Sequence, residues 1–248
     1  MNIAVLVKLV PDSTAVVKIG DDRRYISTAD LNFVLNPYDE YAVEEGLKIK
    51  EKEGGDVTVV SFGDDTAQKA LRTALAMGAG AAVHIKSSGG SDMLGTAKSI
   101  ASVLKDRGFD LIVAGKVAID DDCGAIGPMV AELMDIPHVT AVHTLSLVDG
   151  KLTAERDIEG GVEVFESTLP ALITAEKGLN DPRYATLKGI MMSKKKKIEV
   201  VEAESFESKT EVIKMSYPPS RPPGKIVGEG VEAVPELVKL LKEEAKVL

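Results

Sequence analysis

At 248 residues with 44% hydrophobic side chains, the chain is long enough for one large domain or two small ones with a sizeable core. Aromatic residues make up 4% and tryptophan is absent, so that core has to be built from Val, Ile, Leu and Ala. A formal charge of −9 argues against general nucleic-acid binding, one cysteine excludes an internal disulfide framework, and apolar runs of about five residues fall far short of a membrane span. The N-terminus reads as a first strand, with no charged region ahead of a long apolar segment and no cleavage-type motif. The expected location is the cytoplasm, or an organelle matrix if a transit peptide has been removed, with no direct membrane insertion.

Up to about residue 136, short apolar runs alternate with helical patterns. Residues 3–10, broken only by Lys8, predict a strand covered on both faces. Asn36-Pro37-Tyr38-Asp39 opens a helix: Asn suits the cap, Pro the first turn, and Asp39 sets negative charge against the helix dipole. Ala42, Val43, Gly46, Leu47 and Ile49 give that helix its apolar face, and Gly54-Gly55 stop it. Strands then follow at 57–62, 81–85 and 111–114, and helices at 66–77, 93–104 and about 124–134. This order predicts a Rossmann-like α/β fold, a parallel sheet with helices on both faces and right-handed crossovers.

After Pro137 the spacing leaves no room for helices. Residues 139–148, 152–157, 162–167 and 171–175 read as antiparallel strands added to or beside the sheet, with a hairpin at Asp149-Gly150. The prolines of 217–224 favour an extended path, and 234–247 predict an amphipathic terminal helix on an extended C-terminal arm. The expected organisation is a nucleotide-binding α/β domain over 1–178, a partner-recognition loop over 179–200 and the arm over 201–248. The recognition segment sets apolar residues beside Lys194, Lys195, Lys196 and Lys197, which suits docking onto another protein better than chemistry. By default the lysines are a solvated flank.

In open parallel sheets, ligands bind beyond the carboxyl ends of the strands where strand order reverses. The segments 8–12, 36–39, 61–64 and 115–127 all end strands or begin helices. The richest is Gly115-Lys116-Val117-Ala118-Ile119-Asp120-Asp121-Asp122-Cys123-Gly124-Ala125-Ile126. Free amides at a helix start can hold a phosphate. Three aspartates would repel one, so they suit ribose hydroxyls or helix capping; an acidic cap with no ligand is the competing reading. No G-x-G-x-x-G follows the first strand and no P-loop is present, so motif supports neither NAD nor a triphosphate. His84, His138 and His143 lack ligand spacing and read as structural or surface groups, and Cys123 has no base beside it in sequence.

Taken in order, Asn36-Pro-Tyr-Asp-Glu-Tyr-Ala-Val-Glu-Glu45, Arg72-Thr-Ala-Leu-Ala-Met-Gly-Ala79, Gly115-Lys-Val-Ala-Ile-Asp-Asp-Asp-Cys123, Glu155-Arg-Asp-Ile-Glu-Gly-Gly161, Leu169-Pro-Ala-Leu-Ile-Thr174 and Leu179-Asn-Asp-Pro-Arg-Tyr-Ala-Thr-Leu187 closely resemble the beta subunit of electron transfer flavoproteins over nearly the whole chain. The resemblance implies a heterodimer with a larger alpha subunit that carries most of the FAD site. It also implies electron transfer from acyl-CoA type dehydrogenases to a membrane-bound quinone oxidoreductase, without substrate turnover by this chain. AMP would bind in a structural role at positions matching Leu6, Asn36, Pro37, Tyr38, Asp39, Phe62 and the twelve residues from Gly115 to Ile126. Leu187 matches an anchor in the dehydrogenase's apolar pocket, Tyr38 an aromatic near the flavin, and Asp157 a carboxylate reaching an arginine of the alpha subunit.

The chain departs from the pattern at Gly124-Ala125-Ile126, which lack polar side chains for a phosphate, and at Ser13, where an aromatic often lies beside the flavin. Some relatives bind a second FAD in place of AMP and bifurcate electrons from NADH; Asp120-Asp-Asp-Cys123, Asp181-Pro-Arg-Tyr184 and the lysine run favour the AMP-binding kind. A homodimeric adenine-nucleotide sensor is the reading from fold alone, and the antiparallel region and the arm count against it.

Overall fold

A computed structural model describes residues 1–248 apart from Ser88, Gly90 and Pro222, the last being one of the prolines expected to extend the arm. Its centre is a seven-stranded, wholly parallel sheet of order β12-β5-β4-β1-β6-β11-β7, comprising β1 (Asn2–Leu6), β4 (Asp56–Gly63), β5 (Ala81–Lys86), β6 (Leu111–Gly115), β7 (His138–Val142), β11 (Ala171–Ala175) and β12 (Glu199–Glu202). Side chains of β1 alternate between two cores, as a pleated strand requires. Ile3, Val5 and Val7 pack with helices α1 (Pro37–Glu53) and α2 (Gln68–Met77), while Ala4 and Leu6 pack with α3 (Met93–Leu104) and α4 (Ile126–Met134). Burial on both faces explains why these strands read as unbroken apolar runs.

The run 3–10 is not one strand. It breaks after β1, and β2 (Leu9–Pro11) pairs antiparallel with β3 (Phe33–Leu35) in a separate ribbon. The four segments after Pro137 also divide differently from expectation. The stretch 139–148 splits into β7 and β8 (Thr144–Val148), and β11 inserts parallel between β6 and β7. Only β8, β9 (Lys151–Ile158) and β10 (Gly161–Thr168) form the added antiparallel sheet. Spacing alone misassigned β11, because after a three-stranded excursion the chain returns to the sheet without a helix. The hairpin at Asp149-Gly150 forms as predicted, with φ of 49° and 76° at the two turn residues, the conformation of a tight I′-type hairpin.

The segment 179–200 is not a continuous loop. It holds α5 (Leu187–Lys195), which packs on α2, and leads into β12 at the edge of the sheet. Thr186 caps α5 through its hydroxyl, which accepts from the Gly189 amide at 3.0 Å. Beyond β12 an extended arm runs to α6 (Val234–Glu243), a helix with no buried residue. No helix among the described residues is long and apolar enough to cross a membrane.

Candidate functional site

Strand order reverses at β1, with β4 and β5 on one side and β6 on the other. A cleft of about 330 Å³ opens there beyond the strand ends, walled by β1, β4 and β6, the start of α3 and the turn into α4. Of the predicted positions, Leu6, Asp39, Phe62, Gly115, Lys116, Val117, Ala118, Asp121, Cys123, Gly124, Ala125 and Ile126 line it. Asn36, Ile119 and Asp120 support it through the contacts below, while Pro37, Tyr38 and Asp122 are not among its lining residues.

Asn36 was expected to cap α1, yet its side chain makes no cap hydrogen bond. It is buried and turned to the loop after β6 instead. Its Nδ2 donates to the Val117 carbonyl at 2.9 Å and to Asp39 Oδ1 at 2.8 Å, and its Oδ1 accepts from the Ile119 amide at 3.2 Å. One side chain thus joins the start of α1 to the loop after β6. Asp39 completes the junction: its Oδ2 accepts from the Lys8 amide at 2.7 Å, and the Gly115 amide also donates to the carboxylate. Burial pushes the Asp39 carboxyl up to about 7, against the pull of these hydrogen bonds. Gly115 must be glycine, because a Cβ there would stand 2.3 Å from Asp39 Oδ1 and 2.8 Å from the Tyr38 backbone. Pro37 occupies the first turn of α1, exposed, and makes no part of the cleft wall.

Lys8 spans the mouth. Its Nζ lies 2.7 Å from Asp120 Oδ1 and 3.0 Å from Asp121 Oδ2. Partial burial would lower its pKa, but hydrogen bonds and charge from the two aspartates more than offset this and hold the amine above its usual value. Asp121 Oδ1 also accepts from the Cys123 amide at 3.1 Å, forming a local turn that positive φ at Asp122 (52°) and Gly124 (59°) closes. The aspartates therefore do not cap α4, which begins after Ala125 with no side-chain cap. That leaves the backbone amides of Ile126 and Gly127, at the cleft wall, uncapped by any side chain and suited to an anion, although Pro128, next in the turn, adds no amide proton. Cys123 is exposed and its thiol donates to the Asp121 carbonyl at 3.2 Å.

Ser91, Asp92, Met93 and Thr96, around the start of α3, also wall the cleft and were missed from sequence. The only signal was positional: Asp92 caps a helix that follows the next parallel strand, its Oδ1 accepting from the Gly95 amide at 2.8 Å. His84 is a structural group, with Nε2 3.0 Å from the Gly63 carbonyl and Nδ1 3.4 Å from Gln68 Nε2. No cluster of metal-binding side chains exists among the described residues.

A second surface lies away from the cleft. Leu187, the first residue of α5, is 83% exposed, Tyr184 is 95% exposed, and Met191 and Met192 continue the apolar patch. The four lysines beside it do not act alike. Lys194, Lys195 and Lys197 are exposed, whereas Lys196 turns inward and its amine donates to the Ala79 carbonyl. Arg72 on α2 donates to the carbonyls of Ser193 and Lys196, satisfying the end of α5. Asp157 stands on β9 with its side chain 79% exposed and His143 Nε2 3.2 Å from its Oδ1.

Comparison with known proteins identifies the family. The electron transfer flavoprotein domain model matches residues 25–205. Three relatives, each called electron transfer flavoprotein subunit beta, resemble the chain over essentially their full lengths. The Bacillus subtilis (strain 168) protein is 42% identical over 259 residues, covering 100% of both chains. The Syntrophomonas wolfei protein is 37% identical over 251 residues (100% of this chain, 99% of the relative), and the Homo sapiens protein 38% over 256 residues (100% and 99%). A parallel sheet with a cleft at its reversal point, an added antiparallel sheet and this end-to-end similarity together place the chain in the beta-subunit family of electron transfer flavoproteins.

Proposed function

We propose that the chain is the smaller subunit of a heterodimeric electron carrier, holding AMP in the cleft as a structural ligand and completing an FAD site at its interface with an alpha subunit. The observation that carries the nucleotide reading is the cleft itself. Its volume of roughly 330 Å³ falls within the range of small-molecule sites, and its charged mouth and apolar walls suit an adenine nucleotide. The uncapped start of α4 suits the phosphate, and the apolar walls at Leu6, Phe62 and Ile126 suit a base. Asn36, Asp39 and Lys8 hold the loop in shape around it. FAD, when bound, supplies the electron-carrying chemistry; this chain binds and orients and turns over no substrate of its own.

Exposed apolar residues support two protein partners. The arm and α6 leave Ile213, Tyr217, Ile226, Val231, Val234 and Leu237 uncovered, which fits burial against the alpha subunit. Leu187 and its neighbours suit an acyl-CoA type dehydrogenase as electron donor, with a membrane-bound quinone oxidoreductase as acceptor and the cytoplasm as the working compartment. The test is to co-express the chain with an alpha subunit, denature the purified complex and identify the released nucleotides. One FAD and one AMP per heterodimer is the expected result. Two FAD and no AMP would mean a bifurcating subunit, and ATP on a homodimer a nucleotide sensor.

A further inference from the structure

Between the end of β11 and the start of α5, residues 176–186 have no regular secondary structure, yet the segment is fastened at two points to one helix. Asn180 Nδ2 donates to the Tyr41 carbonyl at 3.0 Å and to Glu45 Oε2 at 2.8 Å. Arg183 forks across two carboxylates of α1: Nε and Nη2 reach Glu44 at 2.8 and 2.9 Å, and Nη1 and Nη2 reach Glu51 at 2.6 and 3.1 Å. Its backbone amide also donates to Glu44 Oε2 at 3.1 Å. Glu44 and Glu51 are seven residues apart and share a helix face, so one planar guanidinium meets both. Burial would raise the Glu44 carboxyl, but Arg183 holds it below its usual value, and Arg183 is itself held above its own.

The next residue along, Tyr184, is the most exposed aromatic of the chain, and Leu187 begins α5 three residues later. Long apolar side chains in an irregular segment lose entropy when a partner immobilises them, and prior ordering removes that cost. We propose that Arg183 is a positioning residue for docking: its fork onto Glu44 and Glu51 holds the strap so that Tyr184 and Leu187 face a partner already ordered. The inference rests on the reading of this surface as the dehydrogenase-docking site. Arg183 lies outside the cleft, on Glu44 and Glu51, and acts through Leu187. Lysine cannot replace it, because one ammonium cannot make two bidentate contacts.

The test uses the flavin-loaded heterodimer as acceptor from an acyl-CoA dehydrogenase reduced by its acyl-CoA substrate. Arg183→Lys is expected to raise KM for the flavoprotein about fivefold with kcat and bound FAD unchanged, and Leu187→Ala to raise it further. In the double variant the two effects are expected not to multiply, since both act at one contact. A parental KM for Arg183→Lys beside an impaired Leu187→Ala overturns the positioning role, as does full multiplicativity in the double variant. A parental KM for Leu187→Ala removes the docking reading and the proposal with it. If Arg183→Lys does not assemble, Glu51→Gln, which opens the exposed half of the fork and leaves Glu44 paired, is judged by the same criteria.

Discussion

Asp39 shows how one residue carries two levels of structure. Its carboxylate accepts the amides of Lys8 and Gly115 and one proton of the Asn36 amide group, so three separate segments of the cleft meet at two oxygen atoms. Burial shifts it from 3.8 to about 7. As pH rises through that window the folded chain keeps a proton that the unfolded chain has released, so the carboxyl favours folding at low pH and its contribution fades toward pH 7. The unfolding free energy of the parent in urea titrations is therefore expected to fall relative to that of Asp39→Asn between pH 4.5 and 7.5, by at most about 1.4 kcal/mol per pH unit. Parallel curves for the two proteins would show that Asp39 is ionised throughout. Sequence placed Asp39 in the first turn of a helix for its charge. The structure gives it a different task, because the loop after β6 folds back over the helix start and shields it from water.

At the scale of elements, α5 is held by close approach. A Cβ at Gly189 would stand 2.3 Å from the Ala76 carbonyl of α2, so only glycine lets the two helices touch there. Gly189→Ala is expected to lift α5 from α2 and destabilise the chain by about 1–3 kcal/mol, visible as a lower melting temperature, while bound FAD is retained. An unchanged melting temperature would mean that α5 contributes nothing to the fold. Lengths and ends of α1, α2 and α3 were readable from Pro37, Gly54, Gly78 and the apolar spacing, and α3 matches its predicted span at both ends. The helix over 187–195 was not readable, since it is short, weakly patterned and held by Arg72, Lys196 and Gly189 contacts made far along the chain.

Across the whole molecule, stability and association separate. No described residue from 203 to 248 is buried, although Asp92 at the cleft accepts the amides of Lys209 (2.6 Å) and Thr210 (3.2 Å), and Ile19 donates its amide to the Tyr217 hydroxyl (2.9 Å). Deleting residues 225–248 is expected to move the melting temperature of the isolated chain by no more than about 2 °C, while co-purification with an alpha subunit is lost. A large drop in melting temperature would place α6 in the core of the fold instead. The amino-acid sequence by itself determined the α/β class, most element positions, the Asp149-Gly150 hairpin and the strand-end segments from which a ligand site is drawn. Those features are local: periodicity, caps and turn residues act within a few positions. Only the tertiary structure decided that β11 lies parallel between β6 and β7, that Asn36 clamps the loop after β6 in place of capping its helix, that the start of α3 walls the cleft, and that Arg183 fastens residues 176–186 to α1. Each of these depends on groups 80 or more residues apart or on strands whose order in the sheet differs from their order in the chain, and no local pattern encodes such a meeting.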